Sequence, residues 1–589
     1  MKRLVSLFLL LAIGLTLCAC DGFTVTFDPT QTTSDETSLD GTTPEKTTPS
    51  TPDIPDFVMP ENGFDTTTPV TITFYHTMGS ILSEVLDIYV EEFQELYPNI
   101  TVLHSQEGGY DDVRDKISKQ LTVGDQPNIA YCYPDHVALY NIVRAVKPLD
   151  DLIGSTNTVT RTDGTVEQIG LTQEQTDDFI DRFYNQGSVY GDGLMYTMPL
   201  SKSTEVLYYN VDFFKEHNLT PPTTWDELET LCATIKEIDP RCIPLGYDSE
   251  ANWFINMCQQ LGSPYTSATG EDHLLFDNET NHNFVARFRD WYQKGYVTTQ
   301  ELLGAYTSSI FTETRYTDPH AVRCYMCIGS SVGAYHQRPN KVNGAYAFEV
   351  GIAPIPQVNP DSPKVIFHGP SLCIFQNENP QEVLASWLFM KFLTTNVGFQ
   401  AEFSMASGYV PVIKSVEDHP VYANFLNKAN GGNNIAALSA KVCLQQADAY
   451  FTTPAFVGSD VARDQVGYLM QYCMCIENNE NVTEAIQEAF KKAVKECEDE
   501  IAFASHTHTM EYITAVEPTC TKAGLTEGIY CSGCNKILVA QEIIPAIGHN
   551  FSEWVTIKEP TSTEEGLMER SCYVCGEKET QSIDPPQSY

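Results

Sequence analysis

Val70-Thr-Ile-Thr-Phe-Tyr75, Ile100-Thr-Val-Leu103 and Ile129-Ala-Tyr-Cys-Tyr133 are three short runs of β-branched, aliphatic and aromatic residues, which predict three strands. Between the first and second, Leu82, Val85, Leu86, Tyr89, Phe93 and Leu96 recur mainly at steps of three and four, the period of an amphipathic helix, and Pro98 stops it. Between the second and third, Val113, Ile117 and Leu121 repeat every four residues. Strand, helix, strand, helix, strand predicts a parallel sheet with helices on its faces. The same texture runs on to about residue 504, more chain than one hydrophobic core ordinarily serves. Further helices are signalled by Pro221-Pro-Thr-Thr224 leading into Trp225-Asp-Glu-Leu228, by Leu384, Trp387, Leu388 and Phe392, and by a charged run over about 482–500.

Ahead of this region, Lys2 and Arg3 precede an apolar run from Leu4 to Leu17, the pattern of a secretory signal. It closes in Leu17-Cys18-Ala19-Cys20, which resembles a bacterial lipobox cleaved before Cys20. Residues 1–19 are therefore expected to be a signal peptide. Cys20 is the expected lipid-bearing residue, holding the protein at the extracellular face of the cell membrane through acyl chains such as palmitate. The plainer alternative is an ordinary secretory signal cleaved nearby. No later run reaches the eighteen or so apolar residues of a second membrane span. Residues 20–69 are rich in Thr, Pro and Ser and predict a disordered tether.

Lys and Arg total 35 against 78 Asp and Glu, a net charge of −43, which disfavours a nucleic-acid partner because phosphate binding needs a basic footprint. Most of the 18 cysteines are scattered through apolar or helical stretches and read as small buried hydrophobes. The tail differs. Residues 505–548 and 549–589 repeat one another: Glu517-Pro-Thr519 matches Glu559-Pro-Thr561, Gly524 matches Gly566, and Cys531-Ser-Gly-Cys534 matches Cys572-Tyr-Val-Cys575. Two small β-modules in series are expected. Cys531, Cys534, Cys572 and Cys575 are a candidate four-thiolate set for structural zinc. Cys520 with His506, His508 or His549 is a second candidate within the first repeat, and disulfides or reduced pairs are a third reading; the second repeat has Ser562 in place of Cys520.

Five stretches in order carry a resemblance across residues 70–500. They are Phe74-Tyr-His-Thr-Met-Gly79; Glu107-Gly-Gly-Tyr110 with Gly124-Asp-Gln-Pro-Asn-Ile129; Tyr196-Thr-Met-Pro-Leu-Ser-Lys-Ser-Thr-Glu-Val-Leu-Tyr-Tyr-Asn210; His368-Gly-Pro-Ser-Leu372; and Ser407-Gly-Tyr-Val-Pro-Val412. Together they resemble the extracellular solute-binding proteins (family 1) of carbohydrate-type ABC importers, nearest in pattern to the glycerol-3-phosphate-binding members. The terminal units resemble cysteine-containing repeats of bacterial surface proteins.

The resemblance implies an α/β, two-lobed periplasmic-binding-protein-like fold (type II) with a hinge and an interlobe cleft, followed by two small β-rich repeats. The binding domain is expected over 70–504. One lobe would take about 70–198 and 332–395, the other about 204–330 and 396–504. Position by position, the resemblance implies ligand contacts at Tyr75, Tyr110, Ser203, Ser330, Gly369 and Tyr409. Asp135 stands near the family's acidic ligand residue. Arg463 is one position away from a phosphate-facing arginine, and Trp253 is the single tryptophan where the family has two. The chemistry suits a sugar, oligosaccharide or polyol phosphate, with hydroxyls and backbone N–H groups on polar edges and aromatic rings on apolar faces.

The expected function is a non-catalytic receptor that needs no cofactor and delivers its ligand to ABC permease subunits. No stretch resembles a nucleophile elbow, a metalloprotease helix or a phosphate-binding glycine loop. A glycan hydrolase, which needs two carboxylates across a cleft, is an alternative. So is a surface adhesin or sensor working through the terminal repeats.

Overall fold

The computed structural model describes residues 57–586 except 122, 314–321, 432–433, 505–509 and 534–536. The expected signal peptide, Cys20, most of the expected tether, His506, His508 and Cys534 lie outside the described residues.

Order begins earlier than expected. Phe64 is buried against Tyr97, with ring centroids 6.4 Å apart, and Phe57 and Met59 pack on the same core. Asp65 accepts hydrogen bonds from Thr67 and Thr68, which hold its carboxyl far below the usual range. The tether therefore does not extend to residue 69, because these three apolar side chains find a partner surface.

In β1 (Val70–His76), Val70, Ile72, Phe74 and His76 are buried and Thr71 is exposed, the two-residue period of a strand. α1 (Ser80–Leu96) buries Leu86, Tyr89, Val90 and Phe93 on one face and stops before Pro98. β2 (Ile100–Gln106) lies parallel to β1, and after α2 (Tyr110–Leu121) so does β3 (Ile129–Cys132). α3 (Pro134–Tyr140) opens with proline in its first turn, where a missing N–H costs nothing. The two-residue β4 (Met198–Pro199) is the last strand before the chain crosses to a second lobe.

There β5 (Ser203–Asn210) is buried on both faces from Ser203 to Tyr208. α4 (Trp225–Ile238) starts in a capping box in which Thr224 and Glu227 satisfy each other's backbone N–H groups. β6 (Leu245–Tyr247), α5 (Glu250–Leu261), α6 (Glu279–Gln293), β7 (Val297–Thr299) and β8 (Met326–Ser330) follow. β9 (Val350–Pro354) and β10 (Val365–His368) then both pair antiparallel with β5.

The chain returns to the first lobe with β11 (Ser371–Ile374), α7 (Pro380–Thr395) and α8 (Val397–Ser407). It crosses once more into α9 (Ile435–Gln445), β12 (Tyr450–Phe451), α10 (Ser459–Cys475) and α11 (Val482–Ala504). The first sheet has the order β2-β1-β3-β11-β4, with β11 antiparallel to β3. The second has the order β12-β10-β5-β8-β6-β7, with β9 also on β5.

This topology moves the expected lobe limits. Residues 332–368 belong with the second lobe, because β9 and β10 are hydrogen-bonded to β5. α8 stays with the first, where Phe399 meets Tyr89 at 5.3 Å.

The three crossings run side by side. Leu200 N–H donates to Pro370 O (3.1 Å), while Lys202 and Val410 exchange backbone hydrogen bonds of 3.1 and 2.6 Å. Lys202 is fully buried there. Its Nζ donates to Gln186 Oε1 (2.6 Å), Ser371 Oγ (2.8 Å) and Gly369 O (3.0 Å). Burial lowers the Lys202 pKa to about 7.

Beyond α11, β13 (Met510–Ile513), β14 (Gly528–Cys531) and β15 (Ile537–Val539) form one small antiparallel sheet. β16 (Val555–Lys558), β17 (Gly566–Ser571) and β18 (Lys578–Ile583) form another.

Candidate functional site

A cavity of about 730 Å³ opens between the lobes, within the usual range for small-molecule sites of about 300–1,000 Å³. The first lobe contributes Asp111 and Arg114 from α2, Tyr133 from the end of β3, and Asp135 from the first turn of α3. The second contributes Ser203 and Glu205 from β5, Asn252 from α5, Ser330 from β8, His368 from β10 and Arg463 from α10. Tyr409 comes from the third crossing.

The aromatic side is a stack. Tyr110 lies on Tyr133 with centroids 4.3 Å apart and an 18° tilt, and Tyr131 lies 6.3 Å from Tyr110. Tyr133 and Tyr409 line the cavity; Tyr110 does not. Burial in this cluster raises the Tyr110 phenol well above its ordinary pKa.

The opposite side is polar. Arg463 Nη2 donates to Asn252 Oδ1 and lies 3.0 Å from His368 Nε2. Burial, reinforced by Arg463 and Lys202, lowers the His368 pKa well below its ordinary value, which favours the uncharged imidazole. Glu205 Oε2 accepts from Tyr247 Oη and Asn256 Nδ2, each at 2.7 Å. Burial nonetheless lifts its carboxyl to about 7. Asp460 and Asp464 are raised mainly by burial, then by neighbouring carboxylates. Arg114 faces Asp111 at 3.0 Å, Asp115 at 2.9 Å and, across the cleft, Asp460 at 3.8 Å.

Of the expected contacts, Asp135, Ser203, Ser330, Tyr409 and Arg463 stand on the wall. Trp253 does not. It is fully buried inside the second lobe, stacked on Tyr247 at 4.7 Å and against Phe288 at 4.2 Å. Tyr75 is also off the wall, under the ammonium of Lys116 at 4.4 Å. Gly369 approaches the chain itself rather than the cavity: its φ is +113°, and a Cβ there would meet Ser201 O at 2.6 Å and Lys202 Cα at 2.8 Å.

Tyr133, Arg114, Asn252, Glu205 and His368 were not among the expected contacts. Glu205 and His368 sit inside two of the five resembling stretches and Tyr133 directly before Pro134-Asp135; Arg114, on the polar face of a helix, carried no signal of its own.

A chain of two α/β lobes joined by three crossings, with a polar and aromatic cavity between them, has the architecture of a solute-binding protein. The profile of the bacterial extracellular solute-binding protein family matches residues 89–429, and the chain belongs to that family. It is a family of binding proteins, not of enzymes. The sn-glycerol-3-phosphate-binding periplasmic protein UgpB of Escherichia coli O1:K1 is 25% identical over 378 residues, covering 62% of this chain and 79% of that protein. In fold the chain is similar to UgpB of Mycobacterium tuberculosis, solved with glycerophosphocholine (TM-score 0.56, 19% identity, 73% of this chain and 99% of that one). It is similar also to the sugar-binding protein MalE of Xanthomonas citri (TM-score 0.56, 17% identity, 73% and 98%). Among the described residues no helix is long and apolar enough to cross a membrane.

Proposed function

We propose that this protein is the substrate-binding receptor of an ABC importer and that its cleft takes a neutral polyhydroxylated ligand, a sugar or short oligosaccharide. The composition of the cavity wall carries this reading. Tyr133 and Tyr409 offer ring faces to the C–H surface of a sugar, while Asp111, Asp135, Glu205, Asp248, Asp460 and Asp464 offer oxygens to its hydroxyls. Those six acidic groups face two guanidiniums, Arg114 and Arg463, and Arg114 is already engaged by three aspartates. Such a wall repels a phosphate monoester dianion.

Arg463 favours one second reading. Its hydrogen-bond partners among the described residues, Asn252 and His368, are neutral, which leaves its charge for a singly charged phosphodiester. The relative solved with glycerophosphocholine is consistent with that. The acidic and aromatic wall would then face the cationic head of the ligand.

Ligand bridging the lobes would shift the population toward a closed form read by permease subunits. Anchoring through lipid on Cys20 is the matching localisation, at the extracellular face of the membrane; Cys20→Ser should move the protein from the membrane fraction to the medium.

Isothermal titration against neutral mono- and oligosaccharides, glycerol-3-phosphate and glycerophosphocholine tests the ligand. Heat with a neutral sugar and none with glycerol-3-phosphate is expected. Binding of glycerophosphocholine alone, lost in Arg463→Ala, would replace the sugar reading. No heat with any of them would sink both.

A further inference from the structure

The two terminal sheets have almost no apolar core. Among the described residues of 510–586, the buried hydrophobic side chains are those of Cys520, Cys531 and Cys572, whereas Tyr512, Ile543, Val555, Ile557 and Tyr573 are exposed. Modules this small need a staple other than hydrophobic burial. Four side chains supply candidate ligands for one. The Sγ atoms of Cys520, Cys572 and Cys575 and a ring nitrogen of His549 all lie within 4.8 Å of one another. Cys520 Sγ is 3.8 Å from Cys572 Sγ, and Cys575 Sγ is 3.3 Å from His549 Nδ1. A tetrahedral ion with metal–sulfur bonds of about 2.3 Å sets its sulfur ligands roughly 3.8 Å apart. A disulfide requires about 2.05 Å.

We propose that Cys520, His549, Cys572 and Cys575 form a zinc site that joins the two repeats. It differs from the expected four-thiolate set: Cys531 is not in the cluster, and Cys534 lies outside the described residues. Cys520 comes from the first repeat, Cys572 and Cys575 from the second, and His549 from the junction.

The backbone is arranged around the sulfurs. Val574 N–H donates to Cys572 Sγ at 3.4 Å, and Gly576 N–H donates to Cys572 O at 2.9 Å. The latter closes a tight loop that Gly576 completes with φ +75°. Gly548 N–H donates to Cys520 O at 3.1 Å, which fixes the junction beside the first cysteine. The second nitrogen of His549, Nε2, is 3.2 Å from Glu577 Oε2. A carboxylate on the far nitrogen orients a ligating imidazole and selects its tautomer, a recurrent outer arrangement at zinc. Three thiolates and one imidazole are a ligand set that closes a structural site and leaves no open position for catalysis. The site would therefore set how one repeat follows the other.

The test uses the full chain, reduced, stripped with chelator and titrated with cobalt, with metal counted by elemental analysis. One equivalent should show the bands of a tetrahedral thiolate site and be displaced by zinc. Cys520→Ser and Cys572→Ser should each lose that equivalent, and Cys531→Ser should keep it. His549→Cys should retain the metal and shift the bands toward four thiolates, which keeps the ligand set testable even where a serine variant fails to fold. Loss in Cys531→Ser with retention in Cys520→Ser would overturn the proposal. So would absence of metal binding, or a Cys520–Cys572 disulfide in the peptide map of the protein purified without reductant.

Discussion

Glu205 shows what the cleft asks of a single side chain. It is a carboxylic acid on the central strand of the second lobe, buried and held by a phenol and an amide. Its pKa, raised from 4.5 to about 7, means that the folded chain holds the proton more tightly than the unfolded one. The stability it contributes is therefore complete below about pH 4.5 and is lost as pH rises through about 7, by roughly 3 kcal/mol at most. Glu205→Gln should remove this component. Melting curves of the variant and the parent at pH 5 and pH 8 should differ more at pH 8, to the variant's advantage; a pH-independent difference would mean that the carboxyl is already ionised at pH 5. Tyr409 makes the complementary case on the aromatic side. If it is a ring on which the ligand rests, Tyr409→Ala should weaken binding by roughly 1–3 kcal/mol in titration calorimetry. Unchanged affinity would leave Tyr133 as the ring to examine.

At the scale of elements, periodicity identified buried faces well and their partners poorly. α1 buries Leu86, Tyr89 and Phe93, three of the residues that announced it. β5 pairs with β8, β9 and β10 at the middle of its sheet and is buried on both faces from Ser203 to Tyr208. Trp253 shows the limit. A tryptophan in a helix beside a cleft and one turned into the lobe interior have the same sequence appearance. Here α5 turns its indole onto Tyr247 and Phe288 while the same helix sends Asn252 to the cavity. Trp253→Ala should cost about 3–5 kcal/mol in urea unfolding, with ligand affinity of the folded fraction unchanged. A loss of affinity without loss of stability would return Trp253 to the site.

In the whole molecule, the lobes meet at the three crossings around Lys202, and the cleft is built from both lobes and Tyr409. Among the described residues, none from the terminal repeats lines the cavity. A chain ended at residue 504 should therefore bind the same ligand with unchanged affinity by titration calorimetry; weaker binding would give the repeats a part in the cleft.

What the sequence determined by itself is local or serial. The α/β alternation, the helix start at Pro221-Pro-Thr-Thr224, the helix through Leu384, Trp387, Leu388 and Phe392, the order of the five motifs and the repeat of the cysteine pairs can all be read along the chain. What the tertiary structure decided is which distant residues meet. Arg114 faces Asp460 across the cleft, and Arg463 reaches Asn252 and His368 from another helix. Residues 332–368 join the second lobe through β5, and Cys520 meets Cys572 rather than remaining in a site of its own repeat. The reason is physical. Side-chain period fixes the face a residue occupies on its own element, whereas its neighbours across space depend on where the chain crosses between lobes and how the sheets order their strands. Those choices are settled by burial and hydrogen bonding summed over the whole fold.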